Sequence, residues 1–191
     1  MSPARLEAFT DGVVAIIITI MVLEIHVPQG STLASLKADV PVLLAYLLSY
    51  VNVGIFWNNH HHMLHVTERV NGRVLWANLT LLFWLSLVPF VIRWIDEAGF
   101  ESLPTAAYGI VLLGAAVNYV ILQKVIIAVN GPDSRLAVAL GADRKGKLSI
   151  ALYLLSVPLA FVRPWMAIAL YVAVALIWLV PDRRIEAVLK T

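Results

Sequence analysis

An all-α membrane protein is the fold class that the sequence predicts, and three observations carry it. Of 191 residues, 61% are hydrophobic and only 14% are charged, against about 25% charged in an average soluble domain. Mean hydropathy is +0.86. The apolar residues also gather into segments near the roughly 20 residues needed to cross a bilayer, separated by proline, glycine and charge. So little polar surface cannot wrap a water-soluble globule.

Six spanning segments are expected. The first runs from about Phe9 to Ile25 and stops at Pro28-Gln29-Gly30. It does not read as a cleaved signal peptide, because only Arg5 precedes it as a positive charge and Asp11 interrupts its start. The second runs from about Val40 to Leu64 and grows polar toward its far end. The third, about Leu75 to Ile95, is closed by Asp96-Glu97 and Gly99. The fourth spans about Pro104 to Val129, before Asn130-Gly131-Pro132. The fifth, about Leu148 to Val162, is short; only Arg163-Pro164 divides it from the sixth, about Pro164 to Val180, so these two form a tight hairpin. Residues 1–191 read as one six-helix unit with no internal repeat.

An even number of spans puts both termini on one side, and the distribution of Lys and Arg decides which side. One set of loops and ends carries Arg5, Arg69, Arg73, Arg135, Arg144, Lys145, Lys147, Arg183, Arg184 and Lys190; the other carries Lys37, Arg93 and Arg163. Both termini are therefore expected in the cytoplasm, with the chain in the cell membrane as a multi-pass protein. The pI near 9.0 reads as this topology signal rather than as a nucleic-acid footprint. The chain has no cysteine, which excludes disulfides and thiol catalysis. No phosphate loop, dinucleotide fingerprint, nucleophile elbow or carbonyl-type selectivity filter is found, and no cofactor is expected.

Orientation gives depth. Asp11 begins the first span, Trp57 and His60 lie near the cytoplasmic end of the second, and Asn78 opens the third. At 1.5 Å per residue all fall in the inner third of the bilayer, so one buried polar cluster joining three helices is expected, with Asp11 accepting from Trp57 or an imidazole. Such a cluster either locks helices together or carries protons, since histidine titrates near neutral pH. On the first helix, Ile16, Ile20 and Leu23 share a stripe edged by Gly12 and Thr19, about 140° from Asp11 at 100° per residue. That stripe meets lipid, another helix or, on a symmetry axis, a pore that a ring of aliphatic side chains gates by dewetting. The run His60-His61-His62, with His65 beyond it, invites a metal reading; His61 and His65 are i, i+4, but no nearby carboxylate completes a site. Glu24 and His26 stand at the outer end of the first helix, where they tune cations at a mouth.

The residues now reached resemble a family. Arg5-x-x-x-Phe9-Thr10-Asp11-Gly12 resembles the R-x-x-x-F-S-D-G start of prokaryotic relatives of the lysosomal potassium channel transmembrane protein 175. The helix that follows, Ile16-Ile17-Ile18-Thr19-Ile20-x-Val22-Leu23-Glu24-Ile25-x-Val27-Pro28, is similar to their first helix. Trp57-x-x-His60-His61 resembles their W-x-x-H-H, and Asn78 and Pro89-Phe90 match their later positions. Thr10 stands where the family has serine.

The resemblance implies a homotetrameric channel permeable to K+ and other monovalent cations, favouring K+ over Na+, with the first helix of each subunit lining the pore. It implies a constriction at Ile16, followed by Ile20 and Leu23, with Thr19 as a hydroxyl ring. It places Arg5, Phe9, Thr10, Asp11, Trp57, His60 and Asn78 in a network behind the pore. The lipid bilayer is the environment, no enzyme activity or metal is implied, and nucleic acid is not a partner. The alternative reading is a proton channel or proton-coupled carrier using Asp11 and the histidines; a membrane enzyme built on the His cluster is a third.

Overall fold

The computed structural model describes residues 2–141 and 143–179. Among these the chain forms helices α1 (Pro3–Leu23), α2 (Leu33–His65), α3 (Gly72–Ser86), α4 (Val88–Ala98), α5 (Ser102–Asn130), α6 (Arg135–Leu140), α7 (Arg144–Val162) and α8 (Pro164–Leu179). Five stretches are long and apolar enough to cross a membrane: α1, α2, α3 with α4, α5, and α7. The apolar helix α8 is shorter, at 16 residues. Val180, Pro181-Asp182, Arg183, Arg184 and Lys190 lie outside the described residues.

The boundaries follow local chemistry. Helix α1 starts six residues before the expected Phe9, because Pro3 sits in its first turn, where a missing N–H leaves nothing unsatisfied. Helix α2 starts at Leu33 rather than Val40: Thr32 and Ser35 form a reciprocal capping box that nucleates it early. Its 33 residues extend about 50 Å, well beyond the ~30 Å hydrocarbon core. Asn71 caps α3, its Oδ1 accepting from the N–H groups of Arg73 and Val74.

One expected helix is broken. The segment Leu75 to Ile95 is α3 followed by α4, with a tightened turn at Leu87, whose N–H bonds the carbonyl of Trp84. Pro89 is the cause: it offers no N–H to the carbonyl of Leu85 and its ring crowds that turn. The hairpin of α7 and α8 turns at Arg163, which is extended (φ −155°, ψ 119°), as a residue before proline prefers.

Helix α5 is the central staff, packed by α3, α4, α7 and α8, while α1 packs on α2, α3 and α4. In hydrocarbon, helices associate by close packing and polar bonds rather than by the hydrophobic effect. Two glycines of α5 show this. A side chain at Gly114 would overlap the Trp84 indole of α3, and one at Gly109 would overlap Tyr171 of α8. Asn130 closes one end of the bundle: its Oδ1 accepts from the N–H of Arg69 at 2.8 Å and its Nδ2 donates to the carbonyl of Arg69 at 3.1 Å.

Candidate pore-lining face and polar network

Helix α1 divides into three faces. Leu6, Thr10, Val14, Ile17 and Met21 are buried, spaced by three or four residues against α2, α3 and α4. About 110° around the helix at 100° per residue, Ile16 is 58% exposed, Ile20 38% and Leu23 80%. Thr19 is exposed on the same side, its Oγ1 donating to the carbonyl of Ile16 at 2.9 Å. Asp11 flanks the buried stripe.

The single buried cluster expected from the sequence is two units. The first is fully buried, with Thr10, His60 and Asn78 exposed by 2% or less. His60 Nε2 donates to Asn78 Oδ1 at 2.7 Å, and Asn78 Nδ2 donates to Thr10 Oγ1 at 3.0 Å. One carboxamide thus stitches α2, α3 and α1 together, using its acceptor toward one helix and its donor toward the other. Because the amide oxygen only accepts, Nε2 of His60 carries the proton. The second unit is Asp11 with Trp57: the indole Nε1–H donates to Asp11 Oδ1 at 2.8 Å. It stands at the surface of the chain, with Trp57 42% exposed.

Two residues expected in the network stand apart from it. Phe9 is 48% exposed. The Arg5 side chain is exposed and has no hydrogen bond or ion pair among the described residues. Their angular positions explain this: both fall on the side of α1 that carries the Ile16 stripe rather than the Thr10 stripe.

The histidine run is also rearranged. The sequence offers no carboxylate beside it, yet Glu7 of α1 reaches across to form an ion pair with His61 Nδ1. His61 stacks between Trp57 and His65 of its own helix. Sequence reading missed Glu7, although its spacing of four before Asp11 was the available signal, since both must face α2.

At the other end of α1 lies a charged knot. His26 Nδ1 is 2.7 Å from the Asp96 carboxylate and Nε2 is 3.0 Å from Asp39 Oδ1, while the His26 N–H donates to Asp96 at 3.2 Å. Its pKa is raised above 6.5 by the Asp96 hydrogen bond first and by Asp39 next. Arg93 donates from Nη1 to Glu24 at 3.0 Å and from Nε to Glu97 at 2.8 Å. Glu24 and His26 are therefore tied to the ends of α2 and α4, not free at a mouth.

The model of the family described as "Endosomal/lysosomal potassium channel TMEM175" matches residues 5–89, the stretch that holds both polar units. A protein named a potassium channel from Chryseobacterium sp. (strain P1-3) is 52% identical over 100% of this chain and 99% of its own length. The chain belongs to the TMEM175 family. The crystal structure of a lysosomal potassium-selective channel TMEM175 homolog from Chamaesiphon minutus superposes with a TM-score of 0.83 at 27% identity, covering 94% of this chain and 97% of that one. The human protein named "Endosomal/lysosomal proton channel TMEM175" is 38% identical over 96 residues, 44% of this chain and 19% of its own. By these descriptions the TMEM175 family is one of membrane ion channels rather than of enzymes.

Proposed function

We propose that this protein is a potassium-permeable cation channel of the cell membrane, built as a homotetramer of one six-span unit with both termini in the cytoplasm. Helix α1 lines the pore, Ile16 forms the constriction, and Ile20 and Leu23 continue the apolar wall, with Thr19 offering a hydroxyl. K+ passes more readily than Na+. The observation that carries this reading is the division of α1: one face is locked into the bundle, and the Ile16 stripe is left uncovered in a chain whose family relatives are named potassium channels.

In mechanism, the Thr10–Asn78–His60 chain fixes the rotation of α1, and so fixes which residues face the axis. A ring of four branched aliphatic side chains narrows the path and excludes water when closed. Arg93, held by Glu24 and Glu97, leaves that outer end of α1 with a net negative charge, which concentrates cations near the pore.

Flux of K+ from proteoliposomes tests the reading. Ile16→Asn is expected to raise flux and Ile16→Cys to make it sensitive to thiol reagents. If substitutions at Ile16, Ile20 and Leu23 leave flux unchanged, the pore assignment fails. A second reading, proton conduction, is favoured by the name of the human relative. A pH-driven leak that disappears in His60→Ala while K+ flux persists would select it.

A further inference from the structure

Away from α1, the molecule holds an apolar cavity of about 540 Å³ between α2, α4, α5 and α8. Its walls are almost purely hydrocarbon, with Leu44 and Leu48 of α2 facing Ile168, Val172 and Leu176 of α8. Along α8 it runs from Trp165 to Leu179, about 21 Å at 1.5 Å per residue. That is deeper than half of a ~30 Å hydrocarbon core.

The charges at one end of this cavity distinguish it from an ordinary lipid-facing groove. The non-cytoplasmic side carries only Lys37, Arg93 and Arg163 as cations. Arg93 is consumed by Glu24 and Glu97. Lys37 and Arg163 are exposed and have no ion-pair partner among the described residues. By register both belong to the end of the cavity that Pro41 and Trp165 line. Lys37 lies one helical turn before Pro41, on the face of α2 that continues through Leu44 and Leu48 into the cavity. Arg163 immediately precedes Pro164-Trp165, and Trp165 lines the cavity. The Trp165 ring stacks on Phe100 with centroids 5.3 Å apart, an aromatic pair at the depth where tryptophan anchors to headgroups. Thr105 Oγ1, buried at the same end, has no hydrogen-bond partner among the described residues. Glu101 is exposed at the start of α5; of the other acids at this end, Asp39 and Asp96 are held by His26, and Glu24 and Glu97 by Arg93.

We propose that this cavity is a phospholipid site: one acyl chain fills the groove between α2 and α8, and the phosphate sits between Lys37 and Arg163. An apolar slot that a chain can enter, an aromatic pair at the glycerol level and two unpaired cations at the phosphate level form a sequence of chemistries that matches a glycerophospholipid from tail to head. The occupied site cements the outer half of α2, where none of residues 33–48 is buried, to α8. The leaflet assigned rests on the orientation proposed above; the site itself does not.

The full chain, purified in mild detergent and supplied with phosphatidylglycerol, would be examined by native mass spectrometry. Wild type is expected to retain one lipid per chain. Retention should fall about tenfold or more when both cations are removed in Lys37→Ala/Arg163→Ala, and should be lost in Leu176→Trp, which fills the groove from an exposed position. Unchanged thermal melting of each variant would certify folding. Equal retention by wild type and the cation variant would overturn the proposal, as would full retention by Leu176→Trp. Because the chain lacks cysteine, Leu176→Cys gives a further check. Crosslinking of this cysteine between copies would show that a neighbouring subunit fills the groove and would refute the lipid assignment. Labelling by a membrane-dissolved maleimide, blocked by added phosphatidylglycerol, would support it. Loss of K+ flux in wild type would sink the channel reading without touching these results.

Discussion

Asn78 offers the sharpest test of how α1 is held. Replacing it by leucine keeps the approximate volume and removes both hydrogen bonds at once. His60 Nε2–H and Thr10 Oγ1 are then left without their partner in a site where each is 2% exposed or less. An orphaned buried polar group costs about 1–3 kcal/mol in protein series, and interhelical bonds in bilayers fall toward ~0.6 kcal/mol. Threonine can turn its hydroxyl to its own helix backbone, so the imidazole dominates, and Asn78→Leu is expected to destabilise by about 2–3 kcal/mol.

Thr10→Val removes only the acceptor for Asn78 Nδ2, at about 1 kcal/mol. The double variant decides the matter. Once Asn78 is gone, Thr10 has no partner to lose, so adding Thr10→Val should cost nearly nothing. The pair should therefore show a coupling of about 1 kcal/mol, well outside the ~0.3–0.5 kcal/mol expected of independent sites. The assay is equilibrium unfolding in mixed micelles, followed by tryptophan fluorescence. Strict additivity would refute the carboxamide stitch.

Further outcomes are expected from the same packing. Asp11→Ala and Trp57→Phe should each cost about 0.5–1.5 kcal/mol and should be non-additive, because the 2.8 Å bond is shared; similar losses in oligomer yield by size-exclusion chromatography would check this. Ile16→Asn should raise K+ flux, while Phe83→Ala, on an exposed face of α3, should leave it within about twofold. His26 is raised from 6.5 by Asp96 and Asp39, so its contribution is fully present below pH 6.5 and is lost as pH rises through the higher folded value. Hydrogen exchange of residues 24–32 should therefore quicken from neutral to alkaline pH beyond its intrinsic rate, and His26→Gln should abolish the excess. Gly114→Leu should prevent α3 and α5 from closing against Trp84 and reduce folded yield.

The sequence by itself determined the class, the order of the spans and the candidate stripe on α1. Composition forbids a water-soluble surface, proline and glycine punctuate the segments, and a helical period separates Ile16, Ile20 and Leu23 from Asp11. It also aligned Asp11, Trp57, His60 and Asn78 in depth, since rise per residue is fixed. It offered Trp57 or an imidazole as the donor to Asp11, and the structure shows Trp57; the choice between them and the remaining contacts were beyond its reach. Periodicity locates a side chain around its own axis but carries nothing about the rotation of the partner helix. Only the packing of α1 on α2 and α3 decided that Thr10, not Asp11, meets Asn78. The same packing turned Phe9 and Arg5 away and brought Glu7 to His61. The cavity between α2 and α8 was equally illegible, because its walls read as any lipid-facing leucines and valines. Tertiary structure alone brought Pro41 and Trp165, 124 positions apart in the sequence, to line one cavity.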